Sequence, residues 1–364
     1  MKVCHVITRL IVGGAQENTV ATCIGLRKLG YDCELVTGPQ TGPEGSLDAG
    51  MPVTIINELR REPNPVFDVL ACRELYQLFR ARRYDVVHTH SGKAGFVGRL
   101  AARLARVPVV VHTIHGPSFY RYQNPLGNWL FRWAEQLASE WTTQFVSVAD
   151  AMTEQYQAAG ITGQYVTIRS GMNLAPFLQI ESKPDFVVGK IARMFRLKGY
   201  EYLLAAAPRI VAAVPTVKFL LVGDGIYRQR YERWAERLGL RDRFIFTGLV
   251  RPDEIPGYVA QMNVLVHLSL REGLPRTLPQ ALAAGKPVVA FDVDGAREVC
   301  RDGETGFLIR AEDANGVATA VIRLFQDRTL AAQLGERGRQ LVWAEFSEEQ
   351  MVRQLDELYR RLRA

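Results

Sequence analysis

Ser269-Leu270-Arg271-Glu272-Gly273-Leu274-Pro275-Arg276-Thr277-Leu278-Pro279-Gln280-Ala281-Leu282-Ala283-Ala284-Gly285-Lys286-Pro287 follows an apolar run at 264–268 and leads into another at 287–291. Between them the chain turns through Gly-x-Pro and enters an alanine-rich helical stretch. That stretch closes at Gly285, the residue type suited to the left-handed position past a helix end. Strand, loop, helix and strand make a βαβ unit, whose crossover sets its two strands parallel. The same grammar extends upstream, with strand patterns near 186–192, 217–222 and 244–247 back to Pro184. It also starts from the first residue, with a strand near 2–7 and a helix from about 16 to 29. Further strands are expected at 32–37, 52–56, 85–89, 108–113, 142–147 and 164–168. This alternation predicts an α/β protein of two Rossmann-like, doubly wound parallel-sheet domains. The first spans 1–170 and the second 185–347, joined by a linker over 171–184 whose polar stretch Gln179 to Pro184 is the expected hinge.

A chain of 364 residues fits two domains of ordinary size. Composition is that of a globular protein, 48% apolar and 23% charged. A net charge of +7 favours an anionic partner. The basic residues are dispersed and form no recognised nucleic-acid module, so nucleic acid is not expected as a partner. The five cysteines are an odd number without metal-like spacing, and read as reduced thiols of a cytoplasmic protein. Met1 to Arg9 is too polar for a signal peptide's apolar region.

Open α/β sheets bind ligands at the carboxyl ends of their strands, so the loops there carry the site candidates. The first holds Gly13 and Gly14, which let backbone approach a ligand ahead of a helix amino terminus. A plain turn is the competing reading, because the full G-x-G-x-x-G fingerprint is absent. The second runs from Lys190 to Gly199, where Arg193 can fork onto phosphate oxygens and Lys198 adds a point charge, as a diphosphate requires. An ordinary solvated basic loop is its alternative. The third is the opening stretch itself. There Thr277 is expected to cap the helix, Pro279 falls in the first turn, and Glu272 and Gln280 face one ligand. His5, His88, His112 and His267 fall within strands and read as core or edge residues.

The run from Glu272 to Ala290 resembles the E-x₇-E signature of the retaining glycosyltransferases of family 4, which have the GT-B fold. Supporting matches run in order along nearly the whole chain: Gly13-Gly14, His88-Thr89-His90-Ser91, His112-Thr113-Ile114-His115-Gly116, Arg193 with Lys198, Val222-Gly223-Asp224-Gly225, Phe246-Thr247-Gly248 and Asp302-Gly303-x-x-Gly306-Phe307-Leu308. The resemblance implies two domains facing across a cleft, hinge closure, and a final helix at 348–364 crossing back to the first domain. It implies a nucleotide-sugar donor, UDP-linked by expectation, held by Gly13, Gly14, Gly223, Val250, Gly273, Leu274, Pro275, Thr277 and Gln280. Glu272 would meet the donor sugar, and Arg193 and Lys198 would stabilise the departing diphosphate. His115 would stand near the sugar. The second acidic position of the signature is Gln280 here; an amide can accept one ribose hydroxyl but loses about 1 kcal/mol of charge-assisted strength. No cofactor is expected, since the nucleotide sugar is a substrate. No metal is expected either, because Asp292-Val-Asp294 lies beyond the site-forming helix.

His90 and Lys93 are the expected residues on the acceptor side. The run His88 to Gly95 is similar to relatives acting on polyprenyl-diphosphate sugars, so the acceptor is expected to be a glycan or a polyprenyl-linked sugar. Phe119 to Trp133 holds six aromatics and two arginines, a mixture suited to a membrane interface. Packing of this stretch on the first sheet is the preferred reading, because aromatics more often fill cores. Residues 58–106 carry ten basic side chains against five acidic, which adds an expectation of peripheral contact with the inner membrane face. Two other functions share the fold: nucleotide-sugar epimerisation, and nucleotide-sugar binding by a catalytically weakened protein.

Overall fold

The computed structural model describes residues 1–40, 45–178 and 185–364; the hinge candidate Gln179 to Pro184 lies outside the described residues. The chain forms two compact units, Met1–Met172 with Glu348–Ala364, and Asn173–Ser347.

The first unit opens with β1 (Lys2–Ile7), α1 (Gly14–Lys28), β2 (Asp32–Thr37) and β3 (Val53–Ile55). It continues through α2 (Pro65–Arg82), β4 (Val86–His90), α3 (Gly92–Ala105) and β5 (Val109–Ile114), then α4 (Pro125–Ser139), β6 (Gln144–Ser147), α5 (Asp150–Ala158) and β7 (Tyr165–Thr167). Its strands form one parallel sheet in the order β3-β2-β1-β4-β5-β6-β7. The order reverses between β1 and β4, which opens a crevice at their carboxyl ends. β4 and β5 are buried along their whole length, as helices covering both faces of a parallel sheet require. α2 starts sharply because Asn64 accepts from the amides of Val66 and Phe67, with Pro65 at the first helical position.

The second unit runs through β8 (Val187–Ile191), α6 (Tyr200–Ala213), β9 (Lys218–Val222), α7 (Arg228–Arg237), β10 (Phe244–Phe246), α8 (Ile255–Ala260) and β11 (Val264–His267). α9 (Thr277–Ala283), β12 (Val288–Phe291), β13 (Gly306–Ile309), α10 (Ala314–Gln326) and α11 (Arg328–Glu345) complete it. The parallel sheet has the order β10-β9-β8-β11-β12-β13, reversing between β8 and β11. β13 is absent from the strands expected above. It is short and half-buried, and it opens on Gly306, where an added Cβ would stand 2.0 Å from the Val288 carbonyl oxygen. Close approach to β12, and not side-chain pattern, makes it a strand.

α9 also starts differently from expectation. Arg276 flanks it with helical dihedrals, and Thr277 is its first residue and caps nothing; the Thr277 hydroxyl turns to His267 instead. The end is as the glycine predicts. Gly285, at φ +67°, donates to the Leu282 carbonyl while Lys286 donates to that of Ala281, a Schellman closure. The last helix, α12 (Glu348–Arg363), returns to the first unit and buries Met351, Val352, Leu355, Leu358 and Tyr359 in the core lined by β1 and α1. Gly25 of α1 makes room for it, since a Cβ there would lie 2.3 Å from a Val352 methyl.

Candidate functional site

In the second unit the loops after β8, β9 and β11 meet at the reversal point of the sheet. Leu270 donates to the Leu197 carbonyl at 2.9 Å. Gly199 lies so close to Leu268 that a Cβ would stand 1.8 Å from its carbonyl oxygen, which ties the β8 loop to the β11 loop. The result is an ion pair, Lys198 Nζ to Glu272 Oε1 at 2.5 Å, with both side chains about one-fifth exposed. Burial alone would push the Glu272 carboxyl up, but the Lys198 ammonium overcomes it and holds the group at about 2. Glu272 is therefore a carboxylate at any working pH.

Two residues that sequence reasoning did not assign to the site adjoin Glu272. His267, the last residue of β11, has Nε2 3.5 Å from Glu272 Oε1 and Nδ1 3.2 Å from the Thr277 hydroxyl; burial pushes it down to about 3, so it is neutral. Its position at a strand's carboxyl end was the available signal. Asp294 accepts from the Glu272 amide at 2.6 Å, and Gly295 donates to the Gly273 carbonyl at 3.1 Å. The Asp292-Val-Asp294 run lies past α9 in the chain, as expected, yet it adjoins the site: its second carboxylate shapes the Glu272 turn, while Asp292 pairs with Arg297 at 2.8 Å. A third unassigned residue is Lys190, fully buried in β8 with its ammonium 5.0 Å from the Tyr200 ring centre.

The other expected donor residues spread around this pair. Arg193 is exposed, its guanidinium 5.4 Å from the Phe195 ring centre. Gly223, at φ +130°, lies against the Ala192 carbonyl and bridges to Gly248; Val250 follows in the next loop, half-buried. Leu274 and Pro275 are buried in the turn before α9, and Gln280 is half-buried on that helix.

In the first unit the carboxyl ends of β1, β4 and β5 carry Gly13 and Gly14, Lys93, His90 and His115. Gly13 flanks α1 and Gly14 begins it, exposed. Lys93 is ion-paired with Asp68 of α2. His90 is 1% exposed, and its Nδ1 lies 3.0 Å from Nε2 of His115, which is half-buried past β5.

The aromatic stretch departs from the core packing expected of it. Phe119 is buried against Tyr156, but Leu126, Trp129, Leu130 and Trp133 of α4 are 71%, 62%, 50% and 49% exposed. They recur at helical spacing on one face. The helix is anchored from its other side by Glu135, which pairs with the fully buried Arg99 at 2.6 Å. Arg99 and Lys93, counted above in the basic excess, are therefore held inside the unit. Among the described residues no helix is long and apolar enough to cross a membrane.

Comparison with known proteins agrees with this fold. Residues 13–171 match the family described as glycosyl transferase 4-like domain, and residues 177–341 match glycosyl transferases group 1. Among curated proteins, the chain is 28% identical over 354 residues to the UDP-Gal:alpha-D-GlcNAc-diphosphoundecaprenol alpha-1,3-galactosyltransferase of Escherichia coli, covering 91% of this chain and 89% of that one. It is 29% identical to the putative glycosyltransferase EpsD of Bacillus subtilis, covering 83% of each. Among solved structures, Anabaena HepE in complex with UDP superposes with a TM-score of 0.82 at 22% identity, covering 99% of this chain and 100% of that one. Sucrose-phosphate synthase of Thermosynechococcus elongatus gives 0.84 at 22% identity, covering 100% and 99%.

Proposed function

Since the chain belongs to the glycosyltransferases that join a 4-like domain to a group 1 domain and use nucleotide sugars, we propose that it is a retaining, metal-independent enzyme transferring a hexose or N-acetylhexosamine from a UDP-sugar. The observation that carries this reading is the Lys198–Glu272 pair at the reversal point of the second sheet. Without donor, the two charges satisfy each other. On binding, Lys198 turns with Arg193 to the diphosphate, and Glu272 is released to the hydroxyls of the sugar. The developing charge on the leaving diphosphate then meets two cations already in place, which is where electrostatic stabilisation acts most strongly. His115 serves the transferred sugar from the end of β5. Gln280 takes the ribose through its amide oxygen.

The acceptor in this proposal is a polyprenyl-diphosphate-linked sugar, reached from the inner membrane face. The Escherichia coli relative supports it by name, and so does the exposed α4 face of two tryptophans and two leucines, beside which Arg121 and Arg132 are exposed. Indole and leucine insert at the headgroup boundary while arginine meets anionic lipid. The test begins with thermal stabilisation by UDP-glucose, UDP-galactose and UDP-N-acetylglucosamine. UDP release from the donor that stabilises is then measured. Arg193→Ala and Lys198→Ala are each expected to slow release by about 10²–10³-fold. Unchanged release in both variants would overturn the assignment of the diphosphate site.

A further inference from the structure

From His115, which serves the transferred sugar, a line of side chains runs into the first unit through residues that the proposed reaction does not use directly. His115 Nε2 lies 3.0 Å from His90 Nδ1, and His90 Nε2 lies 2.9 Å from His5 Nδ1. His5 Nε2 is 3.4 Å from the Tyr359 hydroxyl, which is 2.5 Å from His88 Nδ1, and His88 Nε2 ends the line 2.6 Å from the Thr113 hydroxyl. His5, His88, His90 and Tyr359 are at most 1% exposed. Burial pushes His5 down to about 3 and His88 and His90 well below their ordinary value, so all three are neutral. A neutral imidazole donates from one nitrogen and accepts at the other, so each proton position dictates the next.

His5, His88 and His90 also lie close enough together to suggest a metal site. The ring geometry is against it. His88 and His90 are stacked, with centres 4.4 Å apart and planes at 22°, so their in-plane lone pairs do not converge on one point. Both His88 nitrogens already have hydroxyl partners. The cluster is a hydrogen-bond relay.

We propose that His90, His5 and Tyr359 act as positioning residues that fix which ring nitrogen of His115 carries the proton. The direction follows from the two bonds of the tyrosine. A hydroxyl donating to nitrogen makes the shorter contact, so Tyr359 donates to His88 across 2.5 Å and accepts from His5 across 3.4 Å. His5 Nε2 then bears its proton, and His5 Nδ1 accepts from His90 Nε2. His90 Nδ1 in turn accepts from His115 Nε2. His115 is thereby set with its proton on Nε2. Its consequence for turnover rests on the role proposed above for His115; the tautomer itself does not.

Nitrogen-15 NMR of histidine-labelled full-length protein tests the relay. In the unaltered chain His115 is expected as a single neutral tautomer, protonated at Nε2. Tyr359→Phe, which keeps the ring and removes the hydroxyl, and His90→Leu are each expected to turn it into a mixture of both tautomers. His90→Gln should restore the single form, because its amide oxygen accepts from His115 and its amide nitrogen donates to His5. UDP release from UDP-galactose should fall several-fold in kcat at unchanged KM in the first two variants and recover in the third. A proton found on Nδ1 of His115, or a tautomer unmoved by Tyr359→Phe, overturns the relay. A tautomer that moves with no change in turnover upholds the relay and overturns the role of His115 in the reaction.

Discussion

Lys190 shows how far a single buried charge weighs on the second unit. Its side chain is fully buried in β8, and among the described residues its ammonium has no hydrogen-bond partner. Burial pushes it down to about 7, with the Lys198 ammonium acting in the same direction. The folded form therefore binds a proton less readily than the unfolded chain, whose lysine titrates near its ordinary 10.5. Between about pH 7 and 10.5 the unfolded state holds the extra proton, so stability rises with pH across that window and is at its lower level below it. Lys190→Met is expected to stabilise the unit at pH 7 by on the order of a few kcal/mol and to flatten that rise. Melting temperatures at pH 7 and pH 9 check it: a variant that melts no higher at pH 7 refutes the penalty. Glu272 carries the opposite sign. Held at about 2 against an ordinary 4.5, it stabilises the fold above pH 4.5 and loses that contribution as pH falls toward 2.

Among the helices, α4 is the one whose packing and exposure point to different tasks. One face is held to α3 by the Arg99–Glu135 pair and buries Ala138, while the other presents Leu126, Trp129, Leu130 and Trp133 outward. Because those four side chains contribute little to the core, replacing them has little effect on folding. Trp129→Ser with Trp133→Ser is expected to leave the melting temperature within about 2 °C, a small effect for a surface change. The unaltered protein is expected to co-sediment with phosphatidylglycerol vesicles, and the same variant to lose most of that binding. Equal vesicle binding by both would remove the membrane reading of this helix.

For the molecule as a whole, the decisive feature is that its first unit is closed by its last helix. α12 adds five buried side chains to a core otherwise built from residues before 173. At about 1.5–3 kcal/mol for each large apolar side chain buried, their sum approaches the entire stability of an ordinary domain. A chain ending at Ser347 is expected to lose slow amide exchange throughout β1, β2 and β4, while β8, β9 and β11 keep theirs. Hydrogen exchange read by mass spectrometry separates the two units. Retained protection in β1 would show that α12 is dispensable.

The sequence by itself determined the α/β class and nearly every strand, because a parallel strand covered on both faces is a short, continuously apolar run that reads without knowledge of its neighbours. It also placed Arg193, Lys198 and Glu272 in strand-end loops, since a βαβ alternation says which end of each strand faces ligand. Strand β13 escaped because only contact with β12 makes it one. The tertiary structure alone decided that Lys198 finds Glu272 across 74 residues, that Asp294 supports the Glu272 turn, and that α4 turns its tryptophans outward. It alone brought Tyr359 to His5 and His88, across 354 and 271 residues. Local periodicity encodes which face of an element is apolar. The partner that each buried polar group meets depends on strand order and on where the last helix lands, which no local pattern records.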